Sequence, residues 1–186
     1  LFPKALGPRV NSLILTHTTY TNPLRTAILP GLFTALERPV IVPLSYLTIW
    51  LSPLLRVMNW MNYLNGNSHL ATWMSGFSSK GAWEKIELVT RPQAQPAPAV
   101  LARGTLGMLA YDETKTLGKI RVPTLVIAGD RDPLCKCEAS EFIQSHLPAA
   151  ELSVLTPARH MGGIEHDTHF AQLVSEFAHA RAQSPQ

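Results

Sequence analysis

Nowhere in this chain do like charges gather. Its 186 residues hold 16 Lys and Arg against 13 Asp and Glu, for a formal charge of +3, and they are scattered thinly. Without a basic stripe to track a phosphate backbone, no nucleic-acid partner is expected. Cysteine is nearly absent, with only Cys135 and Cys137. Two residues apart, they are too close for an easy disulfide and two ligands short of a structural zinc site, so they read as free thiols. Long apolar runs are lacking as well. The charge-free run between Arg38 and Arg56 is shorter than the ~20 residues a spanning helix needs. Pro43 and Pro53 should also interrupt it, leaving a buried or lid-forming pair of helices rather than a membrane-surface segment. Membrane contact is therefore not expected. The chain opens Leu1-Phe2-Pro3 with no charged region leading into an apolar stretch, and no signal peptide is visible. Internal repeats are absent.

What is present suits one domain with an insertion, since 46% of the residues are hydrophobic. Residues 10–15, Val-Asn-Ser-Leu-Ile-Leu, read as a buried parallel strand emptying into Thr16-His17-Thr18-Thr19. From Asn22 to about Thr116 the period is helical, punctuated by Pro30, Pro39, Pro43 and Pro53. Residues 56–64 form a helix that Asn65-Gly66 stops, residues 91–98 read as a linker, and Pro98 opens a helix to about Tyr111. In the tail, a strand at 124–128 precedes a helix from Glu138 with Ala139, Phe142, Ile143 and Leu147 on one face. A strand at 152–155 follows, then a final helix striped by Phe170, Leu173, Val174 and Phe177, with Asp167 or Thr168 as its cap. Strands alternating with amphipathic helices predict an α/β fold, a parallel sheet whose ligands bind beyond the carboxyl ends of the strands.

Two side chains with matching chemistry stand at such ends. Asp132 closes the turn Gly129-Asp130-Arg131-Asp132 after one strand, and His160 closes Thr156-Pro157-Ala158-Arg159-His160 after the next. A hydroxyl nucleophile is nearly inert at neutral pH until an imidazole takes its proton and a carboxylate holds that imidazole in the right tautomer. Either residue alone is ordinary, because a turn aspartate commonly bonds its own backbone and Asp130 competes for that job. Together, in this order and strand context, they are candidate catalytic residues.

The segment from Arg121 to Pro133, with His160-Met161-Gly162-Gly163-Ile164-Glu165-His166 and Phe170, resembles the carboxyl-terminal part of the α/β-hydrolase superfamily. The resemblance implies a partial α/β-hydrolase fold, a parallel sheet remnant with an inserted helical cap. It divides the chain into a core strand and its approach (1–21), the cap (22–116) and a carboxyl-terminal core (117–186). It makes Asp132, rather than Asp130, the triad acid and His160 the base, with Glu165 structural. It implies no cofactor and no metal, and a small apolar ester-like substrate.

In this superfamily the triad serine precedes the acid and the base, in a Gly-x-Ser-x-Gly elbow between strand and helix. This chain has no such motif; Gly66-Asn67-Ser68-His69-Leu70 and Gly76-Phe77-Ser78-Ser79-Lys80 each supply half of one. The resemblance thus places the nucleophile and oxyanion hole upstream of Leu1. The partner to expect is a missing amino-terminal half of the same protein, without which the isolated chain should be inactive and its first strand should present an open edge. Epoxide hydrolases and dehalogenases with an aspartate nucleophile use the same frame, as would a non-catalytic protein holding an apolar ligand. A partner or membrane module working through residues 39–64 is a further alternative. Trp50, Met58, Trp60, Met61 and Trp73 could line a pocket under the cap, though plain packing is the expectation. His17 and Tyr20 could face the site mouth. His69, His146, His166, His169 and His179 share no metal spacing and read as surface or satisfied residues.

Overall fold

Three short strands form one parallel sheet in the order β1 (Leu13–Thr16), β2 (Thr124–Gly129), β3 (Ala150–Leu155). The computed structural model describes residues 10–79 and 82–182, so the approach expected at residues 3–9 lies outside the described residues. All six residues of the central strand are buried, as an uninterrupted Thr-Leu-Val-Ile-Ala-Gly run in a doubly covered parallel sheet should be. β1 begins at Leu13 and not at Val10. Its register pairs Leu13 with Thr124, and the neighbour before Thr124 is Pro123, which has no N–H to extend the ladder toward residues 10–12.

Between β1 and β2 the chain is helical, as its periodicity predicts. α1 (Pro30–Leu36) continues through a π-turn (Glu37–Ile41) into α2 (Val42–Trp50). Pro43 therefore does not interrupt the segment. The π-turn bonds the Val42 amide to the Glu37 carbonyl, one residue further back than in an α-helix, and this wider turn accommodates the prolines. The result is a 21-residue helix, Pro30–Trp50, long and apolar enough to cross a membrane, in which Ser45 alone is buried. Of the buried or lid-forming pair expected, the buried alternative does not hold, because α2 rests one side on a later helix and leaves the other open. Pro53 does mark a boundary, in the first turn of α3 (Ser52–Leu64), which Gly66 ends with a positive φ of 86°.

α4 (Asn67–Gly76), α5 (Trp83–Ala94), α6 (Pro98–Leu109) and α7 (Thr114–Leu117) complete the insertion. α5 runs straight through Pro92, so residues 91–94 are helix rather than linker. The donor lost at Pro92 frees the carbonyl of Leu88, a residue exposed enough for solvent to satisfy it. The tail matches its reading: α8 (Cys137–His146) follows β2, and a short α9 (Gly162–Glu165) leads into α10 (Asp167–Ala182).

The sheet's alternation sorts the core into two layers. Leu125 and Ile127 pack with Leu155, Ala158 and Phe177, backed by Phe170, Leu173 and Val174 of α10. Val126 packs on the other face with Ile143 and Leu147, beside Phe142 of α8. A third cluster of Phe77, Ile86 and Val89 meets Met161 and Ile164, and so ties the helical insertion to the segment after β3. Plain packing does not account for the Trp and Met set: Trp50, Met58, Trp60, Met61 and Trp73 are all at least 36% exposed.

Among the described residues β1 carries β2 on one edge and no strand on the other. An open edge beside so much exposed apolar surface favours pairing with other copies. Light scattering on this chain should show species larger than a monomer that grow with concentration; a clean monomer at high concentration would contradict this.

Candidate active site

The turn after β2 is built so that the segment after β3 crosses it closely. A Cβ on Gly129 would lie 2.6 Å from the Ala158 carbonyl oxygen and 2.9 Å from that of Arg159, so only glycine allows this approach. Two clamps fix the crossing. The Ala158 amide donates to Asp130 Oδ1 at 2.8 Å, and the Arg131 amide donates to the Ala158 carbonyl at 2.9 Å. Asp130 therefore holds backbone, which separates its role from that of Asp132.

Asp132 and His160 meet at this crossing, with His160 Nδ1 2.9 Å from Asp132 Oδ2. The carboxylate is wholly buried and has four donors. Its Oδ1 accepts from the amides of Leu134 at 2.8 Å and Cys135 at 3.0 Å. Its Oδ2 is shared by His160 and, at 3.2 Å, by His17 Nδ1. Burial by itself would raise the Asp132 carboxyl. The bonds from His160, His17 and the Cys135 amide, with the charge on His160, outweigh it and hold the group well below the ordinary carboxylate range. In the tautomer that donates from Nδ1, His160 keeps Nε2 as a base. The His160 side chain is partly exposed, and among the described residues Asp132 is its one hydrogen-bonding side chain.

His17 sits deeper than its expected place at the site mouth, with its side chain 8% exposed. It was not among the candidate catalytic residues. The available signal was its position one residue past β1, which the parallel register brings to the same sheet edge as the end of β2. Tyr20 turns away, stacking on Phe142 at 4.0 Å.

Glu165 is a tie, as expected of it. Its carboxylate accepts from the amides and hydroxyls of Ser78 and Ser79 at 2.7–3.1 Å. Burial would raise this carboxyl too, and the serine donors prevail to lower it. Lys85 bonds the Glu165 carbonyl and the Asp167 carboxylate, each at 3.1 Å. The histidine segment is thereby stapled to Ser78, Ser79 and Lys85. Ser78 is taken up in this network and Ser68 lies in the first turn of α4, so neither half-motif forms a strand-to-helix elbow.

One ring nitrogen each of His17 and His160 and an Asp132 oxygen lie within 4.8 Å of one another, donor types that zinc-class ions accept. In this arrangement the two Nδ1 atoms and the carboxylate are engaged with each other. His69 is buried and satisfied on one side, its Nε2 2.7 Å from Glu87 Oε2. A cleft of about 490 Å³, the size of a small-molecule site, adjoins Asp132 and is lined by Ile28, Met74, Arg131, Cys137 and Arg159 among others.

Both cysteines are free. Burial, then the neighbouring Asp132 charge, pushes the Cys135 thiol up to about 12, so it remains protonated and inert at neutral pH. A thiol reagent should label Cys137 in the folded protein and reach Cys135 only after unfolding; equal labelling of both would contradict this. Asp132 also makes an acid prediction. A carboxyl depressed by folding contributes stability above its unfolded value, near 3.9, that is lost as pH falls through the folded value. The stability gap between wild type and Asp132→Asn in urea should therefore shrink below about pH 4. A gap that holds or widens there would contradict the assignment.

No family profile matches the chain. Over 66 residues it is 36% identical to 3-oxoadipate enol-lactonase 1 of Acinetobacter baylyi, a match covering 36% of this chain and 24% of that protein. Among solved structures, it superposes on a thermophilic esterase from Thermogutta terrifontis with a TM-score of 0.67 and 18% identity, covering 97% of this chain and 60% of that one. An α/β-fold family hydrolase from Bacillus anthracis matches with a TM-score of 0.62 and 15% identity, covering 92% of this chain and 60% of that one. The chain thus spans about a quarter of the lactonase's length and three fifths of each solved structure. Its three parallel strands with their helical insertion have the α/β-hydrolase fold, of which the chain spans a part.

Proposed function

We propose that this chain supplies the acid and the base of a hydrolase that cleaves a small, apolar carboxylic ester. The observation that carries the reading is the 2.9 Å bond from His160 Nδ1 to a buried, ionised Asp132 at the ends of adjacent parallel strands. Asp132 holds the imidazole in the Nδ1–H tautomer and stabilises its charged form. His160 Nε2 takes the proton of a serine as that serine attacks the ester carbonyl. It then protonates the leaving alcohol, and later activates the water that releases the acyl group.

The serine and the oxyanion donors come from residues encoded before Leu1, in this reading, which is supported by the absence of any described hydroxyl bonded to His160. Residues 22–116 act as the cap. The cleft beside Asp132 takes Ile28 and Met74 from this insertion, apolar side chains that suit an apolar acyl or alcohol group. The likeness to an esterase and to an enol-lactonase points the same way.

The test is an ester screen on the protein with its upstream coding sequence included. That protein should hydrolyse short nitrophenyl esters, and His160→Ala should lower kcat by about 10⁴-fold or more, while the chain from Leu1 alone is inert. Epoxide or haloalkane turnover instead, with an upstream aspartate, would replace the ester reading. An upstream region without a nucleophile would leave a binding protein.

A further inference from the structure

Asp132 Oδ2 serves two imidazoles, and the hydrolytic reading above uses only one of them. Resting on that reading, we propose that His17 is a positioning residue of the catalytic site: its Nδ1–H fixes Asp132 Oδ2 so that the carboxylate faces His160. Three features of His17 support a built role. Its backbone is left-handed, with φ 45°, a region costly for a side chain other than glycine and recurrent at functional sites. Its ring is pinned from below by Gly162, where a Cβ would come within 2.8 Å of His17 Cε1 and 2.9 Å of Nε2. Its Nε2 is buried without a hydrogen-bond partner among the described residues. An apolar ring of the same shape would avoid that unsatisfied nitrogen. The imidazole therefore earns its place through the other nitrogen, 3.2 Å from Asp132.

The geometry explains why a second donor is useful. The amides of Leu134 and Cys135 restrain the torsion about Cβ–Cγ only within the slack of two bonds to Oδ1, and a donor on Oδ2, the oxygen that His160 uses, narrows that range. His17 approaches the second oxygen from β1 while His160 approaches it from the segment after β3, with the two rings nearly perpendicular at 72° and their centroids 5.9 Å apart. Oδ2 is thus located by two elements on opposite sides of β2. His17 touches neither substrate nor nucleophile in this scheme and acts wholly through Asp132.

The experiment uses the complete protein carrying ¹⁵N-labelled histidine, in which ring nitrogen resonances distinguish Nδ1–H from Nε2–H tautomers. In wild type, His17 and His160 should both be Nδ1–H. A bare Nδ1 on His17 would overturn the proposal without any variant being made. His17→Phe keeps the ring shape and removes the donor, so His160 should become a mixture of tautomers and kcat should fall by about 10- to 100-fold with KM little changed. His17→Asn places an amide N–H near the Nδ1 position, tolerates the left-handed backbone, and should restore both readouts. An unaltered His160 tautomer in folded His17→Phe, or an Asn variant no better than Phe, would refute the role. The tautomer measurement stands even if no hydrolysis is found, so failure of the ester reading and failure of the His17 role are separate results.

Discussion

A single buried carboxylate organises the functional end of this chain. Asp132 is removed from solvent, where an unpaired charge would be untenable, and is kept ionised by four donors drawn from three parts of the sequence. Its own turn contributes two amides, the end of β1 contributes His17, and the segment after β3 contributes His160. Each of these must be brought to the carboxylate by the fold. The parallel register does this for β1, and the bare Cα of Gly129 does it for the third, because any side chain there would strike the carbonyls of Ala158 and Arg159.

The surrounding structure serves the same contact at longer range. Asp130 clamps the crossing backbone, and Glu165 gathers the Ser78 and Ser79 donors to hold the histidine segment against the helical insertion. The cluster of Phe77, Ile86 and Val89 with Met161 and Ile164 packs behind that staple. A displacement of the insertion would therefore be felt at His160 through both hydrogen bonds and packing. This couples the element proposed to cover substrate to the proposed base.

Much of this was legible in the sequence where local pattern and fold agree. The run at 124–128, the stripes of α8 and α10, and the pairing of Asp132 with His160 all follow from periodicity and from strand ends, and the structure places them as expected. Proline was the less reliable guide. Pro43 is carried within a continuous helix by a π-turn, and Pro92 sits inside α5, because a missing donor is tolerated where the turn widens or the freed carbonyl meets solvent. The start of β1 was misplaced because the limit comes from Pro123 on its partner strand, which no local window contains. His17 reads from the sequence as facing the site mouth, but its bond to Asp132 is not legible for the same reason: the two are 115 residues apart. The exposed Trp and Met residues of the insertion read as packing by spacing alone, and only the arrangement of neighbouring helices reveals that their face is open.

The central claim is that Asp132 and His160 act as one unit, which a double-mutant cycle on kcat/KM measures most directly. In the complete protein, with an ester substrate, Asp132→Asn combined with His160→Ala should be no slower than the worse of the two single variants, since either one alone already disables the pair. Losses that multiply, as they would for two independent residues, would contradict the account.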